Sequence, residues 1–135
     1  MQIELTEKEF RRLLDMAYIG NWILNSCREP NDRFVDYDII EEKLFSLCPE
    51  HGMRALVDRW QGHYMPSRAF EEGGIHEAIC DYEDAIFYDI LAEELARRDM
   101  DAEQLDPEDT DALLAKVDEY LDEFEENGID NLRLE

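Results

Sequence analysis

Arg59, Trp60, His63, Tyr64 and Arg68 crowd one short stretch of the chain. A guanidinium forks two N–H donors onto a carboxylate or phosphate, and His and Tyr add further polar contacts beside it. Such a set predicts recognition of an anion, and Arg59, His63, Tyr64 and Arg68 are its candidate binding residues. With Arg54 the basic stretch runs over 54–68 and contains Asp58 as its single acid. Pro66, Ser67, Gly73 and Gly74 give residues 63–74, which overlap it, a loop-like character. A small-ligand site or an enzyme built on 54–68 is therefore one functional class to carry forward. The competing reading places Trp60 in the core and pairs the arginines with acids of the same chain.

The second feature is acid. Asp and Glu number 36 against 13 Lys and Arg, for a net charge of -23. Residues 1–70 hold 12 acids and 9 bases, whereas residues 71–135 hold 24 acids and 4 bases. This balance excludes direct nucleic-acid binding through a broad basic surface and disfavours anionic membranes. Within 107–126 nine acids accompany a single base, Lys116. Asp118, Asp122 and Glu125 fall on one helical face there. Asp122, Glu123, Glu125 and Glu126 sit at the end of that helix, where each opposes the macrodipole by about 0.3–1 kcal/mol. Helix stability does not ask for them, so a basic protein partner is the expected complement. Nucleic-acid mimicry is the alternative. A helix over 107–126 is roughly 30 Å long and approaches the charge density of a single strand, about one per 3.4 Å, rather than that of a duplex.

Other chemistry is weakly signalled. His76 and Cys80 lie one helical turn apart and can share a metal. However, no His-Glu-x-x-His or Glu-x-x-His motif is present, and Asp99-x-Asp101-x-Glu103 has Gln104 where a calcium loop needs Gly. No metal or cofactor is expected. Asp89 lies in the apolar run Ala85–Ala92, where burial would raise its pKa toward acid–base work. With Glu93 four residues on, it reads instead as an exposed edge. No Ser-His-Asp, Cys-His or phosphate-loop pattern occurs, so no catalytic residue is assigned. Cys27, Cys48 and Cys80 form no Cys-x-x-Cys pair and read as reduced thiols. Met1–Glu7 lacks a basic start followed by an apolar run, and Met16–Leu24 falls short of the roughly 20 residues of a membrane span. A cytoplasmic location is expected.

The elements that must position these residues read as one all-α domain over 1–135, a bundle of about five helices at 6–27, 37–48, 50–61, 75–98 and 107–127. Thr6 with Glu9 makes a capping box for the first. Asp38 with Glu41 is box-like for the second, with Ile40, Leu44 and Leu47 inward. Met53, Leu56, Val57 and Trp60 suggest a short third helix. Ile75, Ile79, Tyr82, Ile86 and Ile90 stripe the fourth. In the last, Asp106 caps, Pro107 opens the first turn, and Leu113, Val117, Leu121 and Phe124 face inward before Gly128 ends it. Residues 2–5 and 131–134 alternate as a short terminal ribbon would. Oligomeric state is left open.

Overall fold

The computed structural model describes residues 1–134. The chain is mostly helical. The span 1–135, read from sequence as one domain, comprises two compact units, Met1–Ile79 and Cys80–Glu135, and each is described by itself. None of the described helices is long and apolar enough to cross a membrane.

The first unit opens with α1 (Glu7–Asn25). Its capping box forms as the sequence predicts: Glu9 N–H donates to Thr6 Oγ1 at 3.2 Å, and Thr6 N–H donates to Glu9 Oε2 at 2.7 Å. Phe10, Leu14 and Tyr18, four residues apart, bury one face of α1. Pro30 starts a 3-10 turn, Pro30–Asp32, and α2 (Val35–Phe45) follows.

The start and orientation of α2 correct the expectation. It begins at Val35 rather than 37, and no side chain caps it. Asp38 instead binds Arg33 through two hydrogen bonds, 2.9 and 2.7 Å. Of the expected inward stripe Leu44 packs on the core, but Ile40 is 54% exposed and Leu47 is exposed as well, as is Ile39 at 58%, while Phe45 and Cys48 are buried. The physical reason lies on α1. Asn21 Nδ2 donates to both Asp38 Oδ1 (3.0 Å) and Glu41 Oε2 (2.5 Å). The α1–α2 contact is thus made in part by satisfied polar groups, and α2 turns its isoleucines outward.

The third helix, expected over 50–61, is absent. A 3-10 turn at Arg54–Leu56 leads into β1 (Val57–Trp60), which pairs antiparallel with β2 (His63–Pro66) in the register Val57 to Pro66 and Trp60 to His63. Gln61 and Gly62 both have positive φ, 49° and 81°. A two-residue turn of that kind matches the twist of a hairpin and closes it tightly. Met53, Leu56 and Val57 still pack on the core, so their helix-like spacing marked burial but not helix. The fold is therefore mostly helical, broadly as the all-α reading expects, with a small two-stranded sheet in place of the third helix.

Ser67 then joins hairpin to helix. Its hydroxyl donates to Ala55 O at 2.6 Å and accepts from Phe70 N–H at 3.2 Å, capping the single-turn α3 (Arg68–Phe70). A π turn, Glu71–Ile75, follows, kinked at Gly73 and Gly74, the latter with φ of 110°. It runs into α4 (His76–Ala102). The core of the unit is Phe10, Leu14, Tyr18, Phe45, Cys48, Phe70, Ile75 and Ile79.

In the second unit the later part of α4 and α5 (Thr110–Asn127) run antiparallel, with Asp99 against Tyr120, Glu103 against Lys116 and Tyr88 against Phe124. Within this unit the buried positions on α4 are Ala92, Ala96 and Met100, and Phe124 is buried on α5. The predicted isoleucine stripe does not continue inward here, because this alanine row takes its place: Tyr82 and Ile90 are more than half exposed. α4 also outlasts its predicted end at 98. α5 begins later than 107, since Asp109 rather than Asp106 caps it, accepting from Ala112 N–H at 3.0 Å. Asp106 serves the preceding turn, accepting from Glu108 N–H. Leu113, Val117 and Leu121 are half-buried beside Phe124, and Gly128 ends the helix at positive φ. Residues 2–5 and 131–134 lie in no strand, so the terminal ribbon is also corrected.

Candidate functional site

The hairpin carries the Arg/aromatic stretch, but its side chains do not meet around one space. Arg59 and Tyr64 are cross-strand partners, and the guanidinium lies 5.3 Å from the Tyr64 ring centre. His63 Nδ1 is 3.0 Å from Glu42 Oε1, which also accepts from Tyr64 N–H at 3.3 Å. Arg68 Nε donates to Glu72 Oε1 at 2.6 Å, one turn on, in full solvent. Trp60 is 62% exposed, so it is not core. His63 and Arg68 are thus engaged by acids of this chain, and Arg59 by a ring.

The α5 residues form a different kind of surface. Asp118, Asp122 and Glu125 are all exposed along one stripe, and none belongs to an ion pair among the described residues. No basic residue occupies the last turn of α5. Lys116, the helix's own cation, is spent on Glu103 at 2.9 Å.

A third place was not singled out from the sequence. An open cleft of about 300 Å³ is lined by Tyr18, Asn21, Trp22, Asn25, Ser26, Arg33 and Glu41. The helical spacing of Tyr18, Asn21, Trp22 and Asn25 puts four of these on one side of α1. Asn25 is only 1% exposed. It accepts from Phe34 N–H (2.8 Å) and donates to Phe34 O (3.2 Å) and Asn21 Oδ1 (2.6 Å). Asn21 then passes its own N–H groups to Asp38 and Glu41. The Tyr18 hydroxyl is 2.6 Å from His76 Nε2, and the Trp22 ring meets the His76 ring edge-on at 4.8 Å. The polar interruption of an apolar run by Asn21 was the signal in the sequence. It could be noticed but not interpreted without α2 in place.

Burial pushes the Glu41 carboxyl above its usual range, with the Asn21 hydrogen bond opposing. The Arg33 hydrogen bonds hold Asp38 below its usual range. Burial first, then the charges of Glu71 and Glu41, push Tyr18 from 10.0 up to about 12. The unfolded chain therefore ionises this phenol before the folded one does. Tyr18 contributes stability that is complete below pH 10 and is lost as pH rises toward about 12. Ultraviolet titration of phenolate absorbance is expected to show a late step in the wild type that Tyr18→Phe removes. A late step unchanged in that variant would refute the assignment.

His76 and Cys80 do not form a metal pair: His76 is turned to Tyr18, and Cys80 is exposed. Among the described residues no group of three or more His, Cys, Asp or Glu side chains is arranged to hold a metal ion. Comparison with protein-family models, with curated proteins and with solved structures gave no match.

Proposed function

We propose that this protein is an acidic interaction or regulatory module, working inside the cytoplasm, that offers the α5 face of Asp118, Asp122 and Glu125 to a basic protein partner. The observation that carries the reading is the state of those carboxylates. They stand exposed in a row, unpaired among the described residues, on a helix whose apolar ridge is at least half-buried. The acid at the α5 C-terminus costs the helix about 0.3–1 kcal/mol per group, a cost that a cationic partner would relieve. The self-pairing of His63 and Arg68 argues against the anion-site alternative on 54–68.

The test is bead capture from cell extract at about 50 and about 500 mM salt, where screening differs several-fold in range. The triple variant Asp118→Asn, Asp122→Asn, Glu125→Gln is compared with Glu4→Gln, Glu29→Gln, Glu50→Gln, which removes the same charge elsewhere. Basic proteins lost at high salt, and lost with the α5 triple but not with the control, are the expected result. Equal loss from both triples would reduce the acid to a general solubilising charge and overturn the proposal.

A further inference from the structure

We infer that the cleft of the first unit binds an organic ammonium group, the end of a lysine side chain or of a small alkylamine, with Glu41 as its counter-ion and the Trp22 ring, backed by Tyr18, as its wall. This site stands apart from the α5 reading, since it uses none of those carboxylates.

The charge of the cleft selects the sign of the ligand. Glu41 is half-buried, and its hydrogen-bond partner is a neutral amide, Asn21 Nδ2. Arg33, the one cation on the rim, is already committed to Asp38 by two bonds. Glu71, on the π turn, adds a further negative charge close enough to act on Tyr18. Asp38 takes both Arg33 bonds, and Arg33 reaches Glu41 only as a more distant charge, so Glu41 keeps no ion-pair partner in contact and the cleft favours a cation over an anion. The upward shift of Glu41 is the same desolvation seen from the proton's side.

The walls select the kind of cation. Tyr18 and Trp22 lie near-parallel, 24° apart with centres 6.2 Å apart. The His76 ring, edge-on to both, fixes them. Tyr18 is buried, 7% exposed, and backs the indole, whereas Trp22 remains 36% exposed and offers the open aromatic surface to a ligand. An aromatic surface beside a carboxylate attracts an ammonium through both ring quadrupole and charge. A volume of about 300 Å³ admits one side chain or a small amine, not a structured segment.

The experiment uses the full chain carrying Trp60→Phe, which leaves Trp22 as the sole tryptophan. Butylamine and Nα-acetyl-lysine amide are titrated separately, with sodium acetate as the anionic control, and Trp22 emission is followed. A saturable change with an amine and none with acetate is expected. Saturation by the lysine derivative alone assigns the occupant to a polypeptide, and equal saturation by butylamine assigns it to a free amine. Glu41→Gln keeps an acceptor for Asn21 and is expected to weaken binding by about tenfold or more. Side-chain amide NMR shifts of Asn21 and Asn25 give a second readout in the unaltered protein. No saturable change up to about 50 mM amine, or the same curve in Glu41→Gln, would overturn the assignment.

Discussion

Phe70→Ala is expected to remove about 3–5 kcal/mol from the first unit, a large part of the roughly 5–15 kcal/mol that a domain possesses. Phe70 is fully buried although its helix is a single turn. Its ring meets Phe45 edge-on at 4.9 Å and 88°, and Tyr18 at 5.2 Å and 66°. The Arg11 guanidinium lies 4.8 Å from its centre. The neighbours belong to α1 and α2, and Leu14 and Phe45 are themselves fully buried, so the space left by truncation cannot close by moving one loop. The penalty combines lost transfer energy, lost aromatic contacts and a residual cavity. Both tryptophans, Trp22 and Trp60, lie in this unit, and urea unfolding followed by their emission reports on it alone. Trp60→Phe, at the exposed hairpin end, is the matched surface change and should stay within about 0.5 kcal/mol. A Phe70→Ala loss under about 1 kcal/mol would show that the core collapses around the gap.

What could be read in the chain beforehand follows from the range of each signal. The α1 cap was legible because Thr6 and Glu9 interact over one turn, and the α5 ridge because Leu113, Val117, Leu121 and Phe124 keep one period. The hairpin was not, because Met53, Leu56, Val57 and Trp60 match helical spacing by residue type. The deciding fact was the positive φ at Gln61, where Asn or Asp is the usual warning. The inward face of α2 was legible only in part: Leu44 packs on the core, but Asn21, on another helix, recruits Asp38 and Glu41 and overrides the pull of Ile40. The Arg/aromatic residues were found as a group in sequence, but a two-stranded ribbon sends them to Glu42, Glu72 and one another instead of to a shared space. The cleft was missed because it is long-range. Tyr18, Arg33, Glu41 and His76 come from separate elements, and no spacing rule connects them.

Asn25→Asp tests that long-range network most severely. The buried amide both gives and accepts: Phe34 N–H comes to its oxygen, while its nitrogen serves Phe34 O and Asn21 Oδ1. A carboxylate keeps the first bond but turns its second oxygen on two acceptors, in a position 1% exposed. Leaving a buried charge uncompensated costs about 3–5 kcal/mol. Burial raises the pKa of the new carboxyl above its unfolded value, so the folded variant takes up a proton more readily than the unfolded chain. The deficit against wild type is then full above the folded pKa and shrinks as pH falls through it, because the protonated acid can donate again. Asn25→Leu takes the partner from Phe34 N–H and from Asn21 Oδ1, while Phe34 O keeps Tyr37 N–H at 3.2 Å, but it carries no charge, so its loss of about 2–4 kcal/mol should not vary with pH. Urea midpoints for the three proteins near pH 7 and near pH 4 separate the cases. Parallel pH behaviour of the two variants would mean that water reaches the site and that Asn25 does not hold the α1–α2 seam. Convergence of Asn25→Asp toward wild type at the lower pH would show that position 25 is closed to water and that the α1–α2 seam there tolerates a polar group only in its neutral, hydrogen-bonded form.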